Sequence, residues 1–194
     1  MGAIQVSLHT FLPSVVAVAA IEFLAGRASP CLGGLHPLVL VGLVRILEVG
    51  LMILFVVFSE KGLSVFGLDI PNLKRGAFRG LVWSAWFGGI AAAGGLILLL
   101  AGIPFTRFSQ SLPGDTPGLL LFFLVGGVIG PVAEEIFFRG ICYGFFRRWG
   151  VASALILSTL FFVSAHAVKA FVPFTQIVGG VVFALAYEKE KSLL

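Results

Sequence analysis

Four residues of this chain could do chemistry together: Glu134, Glu135, Arg139 and His166. The segment "GPVAEEIFFRG" places two carboxylates side by side and a guanidinium downstream. On a helix, Glu135 and Arg139 form an i, i+4 pair with the acid on the N-terminal side, the more favourable orientation. Glu134 lies roughly 140° around the helix from Arg139, so local geometry leaves it without a cation of its own. A carboxylate left unpaired in an apolar setting favours its protonated form more than it does in water, and groups of this kind serve as general bases. A purely structural knot of three charges accounts for Glu135 and Arg139 but not for Glu134. His166 is the partner the spacing supplies. From Glu134 the chain runs about 15 residues to a turn at Arg147–Gly150 and returns about 17 to His166. An antiparallel hairpin therefore brings the two side chains to similar depth. There they can hold a water, the carboxylate taking its proton and the imidazole orienting it.

The surroundings of these residues are apolar. Hydrophobic residues make up 59% of the 194, and charged residues only 11%. A soluble domain carries roughly 25% charged residues, so the outer solvent of this chain is lipid. The expected fold class is all-α, a single membrane domain spanning residues 1–194 and built as a polytopic transmembrane bundle of about six helices. Six apolar runs suit a hydrocarbon core of roughly 30 Å: Thr10–Gly26, Pro37–Ser59, Leu81–Ile103, Thr116–Ala133 with a polar extension, Val151–Val168 and Ala170–Tyr187. The loop from Glu60 to Gly80 could hold an amphipathic surface helix. Trp83, Trp86 and Trp149 fall near predicted helix ends, where interfacial anchoring is the default. The run "GGIAAAGG" (Gly88–Gly95) and the pair Gly179–Gly180 offer small surfaces on which helices approach closely in lipid.

An ion at mid-bilayer costs about 2.5–3.5 kcal/mol even on mild scales, so each intramembrane charge needs a partner or a wet cavity. Arg45 and Glu48, three residues apart on the second helix, read first as a self-neutralising pair. Gly130–Pro131 interrupts the helix just before Glu134 and is expected to kink it, freeing the carbonyl of Gly127. Two Glu and one His could in principle bind zinc, but Arg139 competes for Glu135 and no HExxH is present. We expect no metal and no cofactor. Cys31 and Cys142 form no CxxC, and the net charge of +4 reads as an orientation signal, with no nucleic acid as partner.

Two short patterns carry a resemblance. "EEIFFR" (Glu134–Arg139) fits EExxxR, and "FVSAH" (Phe162–His166) fits FxxxH. In this order on adjacent helices they resemble the first two motifs of the CAAX prenyl protease and bacteriocin-processing family, also called CPBP or Abi, whose members are glutamate-dependent intramembrane proteases. The likeness covers roughly Leu119–Tyr187, within a core of residues 117–187 that carries the motifs; the N-terminal half matches only in being hydrophobic. It implies that Glu134 activates water with His166 as partner. Glu135 and Arg139 would hold the site in shape, Phe162 would pack beneath His166, and no metal would be needed. The implied partners are membrane-anchored proteins or lipidated peptides and the bilayer itself. The family pattern also has a third motif, HxxxN or HxxxD, whose side chains bind the oxyanion. No His follows His166 in "YEKEKSLL", so the expectation is a natural protein that continues past Leu194 into a seventh helix. The alternatives are a catalytically incomplete member acting as a non-enzymatic membrane partner or immunity-type protein, and, further off, a proton-coupled transporter.

Orientation follows from the cations between helices. Lys61, Lys74, Arg75, Arg79, Arg147, Arg148, Lys189 and Lys191 fall on the side shared by the two ends, and Arg27, Arg107 and Lys169 on the other. The excess places the protein in the cell membrane with both ends of this chain in the cytoplasm. In a cysteine-free background, Arg148→Cys is expected to react with an impermeant thiol reagent only once the cytoplasmic face is opened. Arg107→Cys is expected to react from outside. The reverse labelling would invert the topology.

Overall fold

The computed structural model describes residues 5–60, 62–66, 73–102, 112–166 and 174–193, and their regular structure is helical, with no strand among them. Helix α1 spans Leu8–Ala28, α2 Pro37–Ser59 and α3 Leu73–Leu100. A continuous helical run from Thr116 to Trp149 forms α4, followed by α5 (Val151–Ala165) and α6 (Phe174–Glu190). Among the described residues, four stretches are long and apolar enough to cross a membrane: Leu8–Leu32, Pro37–Ser59, Gly76–Leu100 and Thr116–Trp149. The shorter α5 and α6 adjoin residues 167–173, outside the described set. The protein is thus a polytopic helical membrane bundle. Its outward side chains agree: Leu12, Phe23, Leu47, Phe58, Leu81 and Leu100 are all exposed, a surface that only lipid tolerates.

Helix α2 begins and ends where the sequence places it. Pro37 occupies the first turn, where its missing N–H costs nothing, and the His36 side chain accepts from the Leu38 N–H. Helix α3 starts eight residues before the expected Leu81, so Trp83 and Trp86 stand well inside it rather than near its start. Polar residues at a helix start lie at the interface, where they break the apolar run without breaking the helix. The expected surface helix before α3 is replaced, in the described part, by a 3₁₀ turn at Leu63–Phe66, whose Phe66 ring is fully buried beside Gly140.

One end of the bundle is tied by polar contacts that link the start of α1 to the ends of α2 and α4. The Glu60 carboxylate, just past α2, accepts from the Ser7 N–H at 2.8 Å and the Thr10 hydroxyl at 2.7 Å. An anion there also complements the N-terminal dipole of α1. The Val6 N–H donates to the Gly144 carbonyl at 3.1 Å, and Arg148 donates to the Val6 carbonyl at 2.7 Å. At the same end Arg79 of α3 pairs with Glu190, and Arg147 of α4 with Glu188. Glu188 lies past the apolar stretch of α6. Burial alone would raise its carboxyl, but donation from Arg147, Lys191 and Tyr143 outweighs this and holds it down at about 2. The clamp is therefore intact above the ordinary carboxylate range and is lost only as pH falls through about 2. The core lies next to this end, around Met52, Val56, Phe66, Ile141, Cys142 and Tyr143.

The glycines divide differently from the sequence expectation. A β-carbon at Gly180 on α6 would stand 2.8 Å from Thr159 Cγ2 on α5, so that close approach requires glycine. At Gly88, Gly89 and Gly94 a β-carbon would meet nothing within 4 Å, so these residues do not serve packing within the described bundle. Gly180→Val is expected to destabilise the protein by about 1–3 kcal/mol, whereas Gly94→Val leaves stability nearly unchanged. Denaturation of both variants in lipid nanodiscs checks this, and equal losses would contradict the packing.

Candidate active site

Helix α4 is not a regular α-helix where the site residues lie. It is α-helical over Thr116–Leu124, π-helical over Val125–Ile129, α-helical over Gly130–Glu134 and π-helical again over Glu135–Tyr143. Pro131 has no N–H to donate, and its ring would crowd the carbonyl four residues back in an α-helix. The chain takes the wider π turn just before it, with the Gly130 N–H reaching the Val125 carbonyl. This is the form the expected kink takes. π turns inside α-helices often mark functional sites. Here the Glu134–Glu135 step joins an α segment to a π segment.

Glu134 and His166 meet. Glu134 Oε1 stands 3.4 Å from His166 Nε2, with both side chains partly accessible. His166 caps the C-terminus of α5, and its Nδ1 lies 2.8 Å from the Phe162 carbonyl. A carbonyl can only accept, so Nδ1 carries the hydrogen. In the neutral imidazole Nε2 is then an acceptor. A carboxylate and an acceptor nitrogen facing each other repel unless they share a proton or a water donates to both. The geometry therefore suits one shared proton or one bridging water.

The other residues frame this pair. Arg139 Nε stands 3.5 Å from Glu135 Oε1, and Arg139 Nη2 donates to the Gly179 carbonyl of α6 at 3.3 Å. The guanidinium lies over the Phe162 ring, 4.6 Å from its centroid, and is 2% exposed. Phe162 and His166 ring centroids are 4.4 Å apart, so one phenyl ring touches both the cation and the imidazole. All of these groups line a cavity of about 840 Å³, which continues between α3 and α6 past Phe87, Gln176 and Tyr187 to Glu190. The α3 and α6 walls were missed in the sequence, because single neutral residues on apolar helices carry no signal of their own.

A second charged group lies on α1 and α2. Arg45 Nη1 contacts Glu48 Oε2 at 2.7 Å and also Glu22 Oε1 of α1 at 2.8 Å. The expected pair is thus a triad, and Glu22, the acidic residue in the first apolar run, was the available signal. Among the described residues no group of three or more His, Cys, Asp or Glu side chains is placed to hold a metal ion. Cys31 and Cys142 are both free thiols.

Comparison with known protein families gives one match. Residues 116–194 match the family described as Type II CAAX prenyl endopeptidase Rce1-like. This segment, less than half of the chain, is similar to the CAAX prenyl protease family. The match begins at the first residue of α4 and takes in both polar motifs, while α1–α3 precede it. No curated protein and no solved structure matches the chain.

Proposed function

We propose that this protein is a glutamate-dependent intramembrane endopeptidase that cleaves membrane-anchored or lipid-modified proteins or peptides. The observation that carries this reading is the 3.4 Å approach of Glu134 to His166 Nε2, with Nδ1 already committed, on the wall of a cavity of about 840 Å³. A water held between these groups loses a proton to them as its oxygen bonds to the scissile carbonyl carbon. The same proton then passes to the amide nitrogen as the C–N bond breaks, leaving a carboxylic acid and an amine. In this reading the Arg139–Glu135 pair fixes the orientation of Glu134 by pinning the next residue of the helix to α6. Phe162 supports the imidazole from below. Catalysis is expected to need no metal, and both ends of this chain are expected in the cytoplasm, a reading that the charge asymmetry between loops supports.

The test is Glu134→Gln, which keeps the shape of the side chain but cannot take the proton. Cleavage of a lipidated reporter peptide in proteoliposomes is expected to fall by about 10²-fold or more, the range that general base catalysis contributes, with unchanged membrane levels. Substantial residual cleavage would shift the base to Glu135. A wild-type protein that binds such peptides without cutting them would favour a non-enzymatic membrane partner.

A further inference from the structure

Arg45 has no task in the reading above. One carboxylate would neutralise it, yet two approach it, both through the same nitrogen, Nη1. Glu48 is 2% exposed, and its Oε1 is buried without a partner. An arrangement serving only to pin α1 to α2 would not need a buried Glu48 carboxylate, since a neutral hydrogen-bonded pair does that with less desolvation.

The position of α2 gives the cluster a target. Helix α2 packs on α4 with Gly42 against Val125, where a β-carbon would stand 3.1 Å from Cγ2. It also touches the Gly130–Glu134 segment that leads into the site. Arg45, one turn on from Gly42, therefore stands on the helix that borders the segment ending at Glu134, whose carboxylate faces His166. Arg139 is already engaged by Glu135, the Gly179 carbonyl and the Phe162 ring.

We propose that Arg45, clamped by Glu22 and Glu48, is a positioning residue of the Glu134–His166 pair, its fixed charge setting how tightly that pair holds its proton. The charge is delivered from a helix outside the family match. The proposal deepens the protease reading and rests on it for its meaning, but not for its test. The charged and titratable groups around the pair are Glu22 on α1, Arg45 and Glu48 on α2, and Glu135 and Arg139 on α4. Along the cavity, α6 adds Tyr187 and the Arg79-paired Glu190. Of the cations among these groups, Arg45 can be removed without breaking the Arg139–Glu135 brace.

The experiment is a pH titration of His166 by NMR of ¹⁵N-histidine-labelled protein in nanodiscs, which needs no substrate. His9→Gln and His36→Gln assign the other two signals. Arg45→Lys keeps the charge and is expected to leave the His166 midpoint in place. The double variant Arg45→Gln with Glu48→Gln keeps a hydrogen-bonded pair without charge, and its midpoint is expected to move to higher pH by about half a unit or more. Arg45→Gln alone, which removes the same charge, is expected to move it in the same direction, and this variant decides the matter if the double variant does not fold. An unmoved midpoint in a folded double variant, or in Arg45→Gln, would overturn the proposal and reduce the triad to a structural clamp. Full cleavage by Glu134→Gln would instead overturn the protease assignment of Glu134 while leaving this measurement standing.

Discussion

An ion inside hydrocarbon must keep its counter-charge within reach, and this constraint decides how the helices of this protein are arranged. Within the apolar helices, charged side chains sit against an opposite charge or a polar group from another turn or another helix. Glu22 and Glu48 meet at Arg45, Glu135 meets Arg139, and Glu134 meets His166. These contacts act as register pins between helices that are otherwise apolar and could slide. The Arg45 triad joins α1 to α2, Arg139 ties α4 to α6 through the Gly179 carbonyl, and Glu134 ties α4 to α5. Satisfying the charges therefore also assembles the site.

The backbone of α4 is the second part of the account. A proline just before the two carboxylates is accommodated by a π turn, and a longer π segment follows them. The wider turns change the angle between successive side chains. Glu135 reaches Arg139 on its own helix while Glu134 reaches across to α5. A membrane helix that must present two neighbouring acids to two different partners benefits from this irregularity. The cavity alongside supplies the room that irregular backbone at membrane depth requires.

Much of this was legible in the chain. Composition alone fixes a lipid-facing helical bundle, and the bounds of α2 follow from Pro37 and from the polar step at Ser59–Glu60. The three site partners of α4 and His166 could be paired from helical spacing and from the equal arms of a hairpin. What escaped were features without a local signature. The π turns are a backbone response to Pro131 that side-chain periodicity does not display. The start of α3 was placed late because Lys74, Arg75 and Arg79 read as loop. Glu22 joins Arg45 only through the packing of α1 on α2, a contact between distant residues. The small residues of α3 looked like Gly179–Gly180 in sequence, but only the latter meet another helix closely.

The central claim is that Glu134 and His166 work as one unit on one water. A double-mutant cycle on the cleavage rate tests it most directly, using Glu134→Gln, His166→Gln and the two together. Groups that share one proton transfer lose their function together, so the double variant is predicted to be no slower than the slower single variant. Losses that multiply, each substitution costing the same factor in the presence and absence of the other, would show that the two residues act independently and would contradict the account.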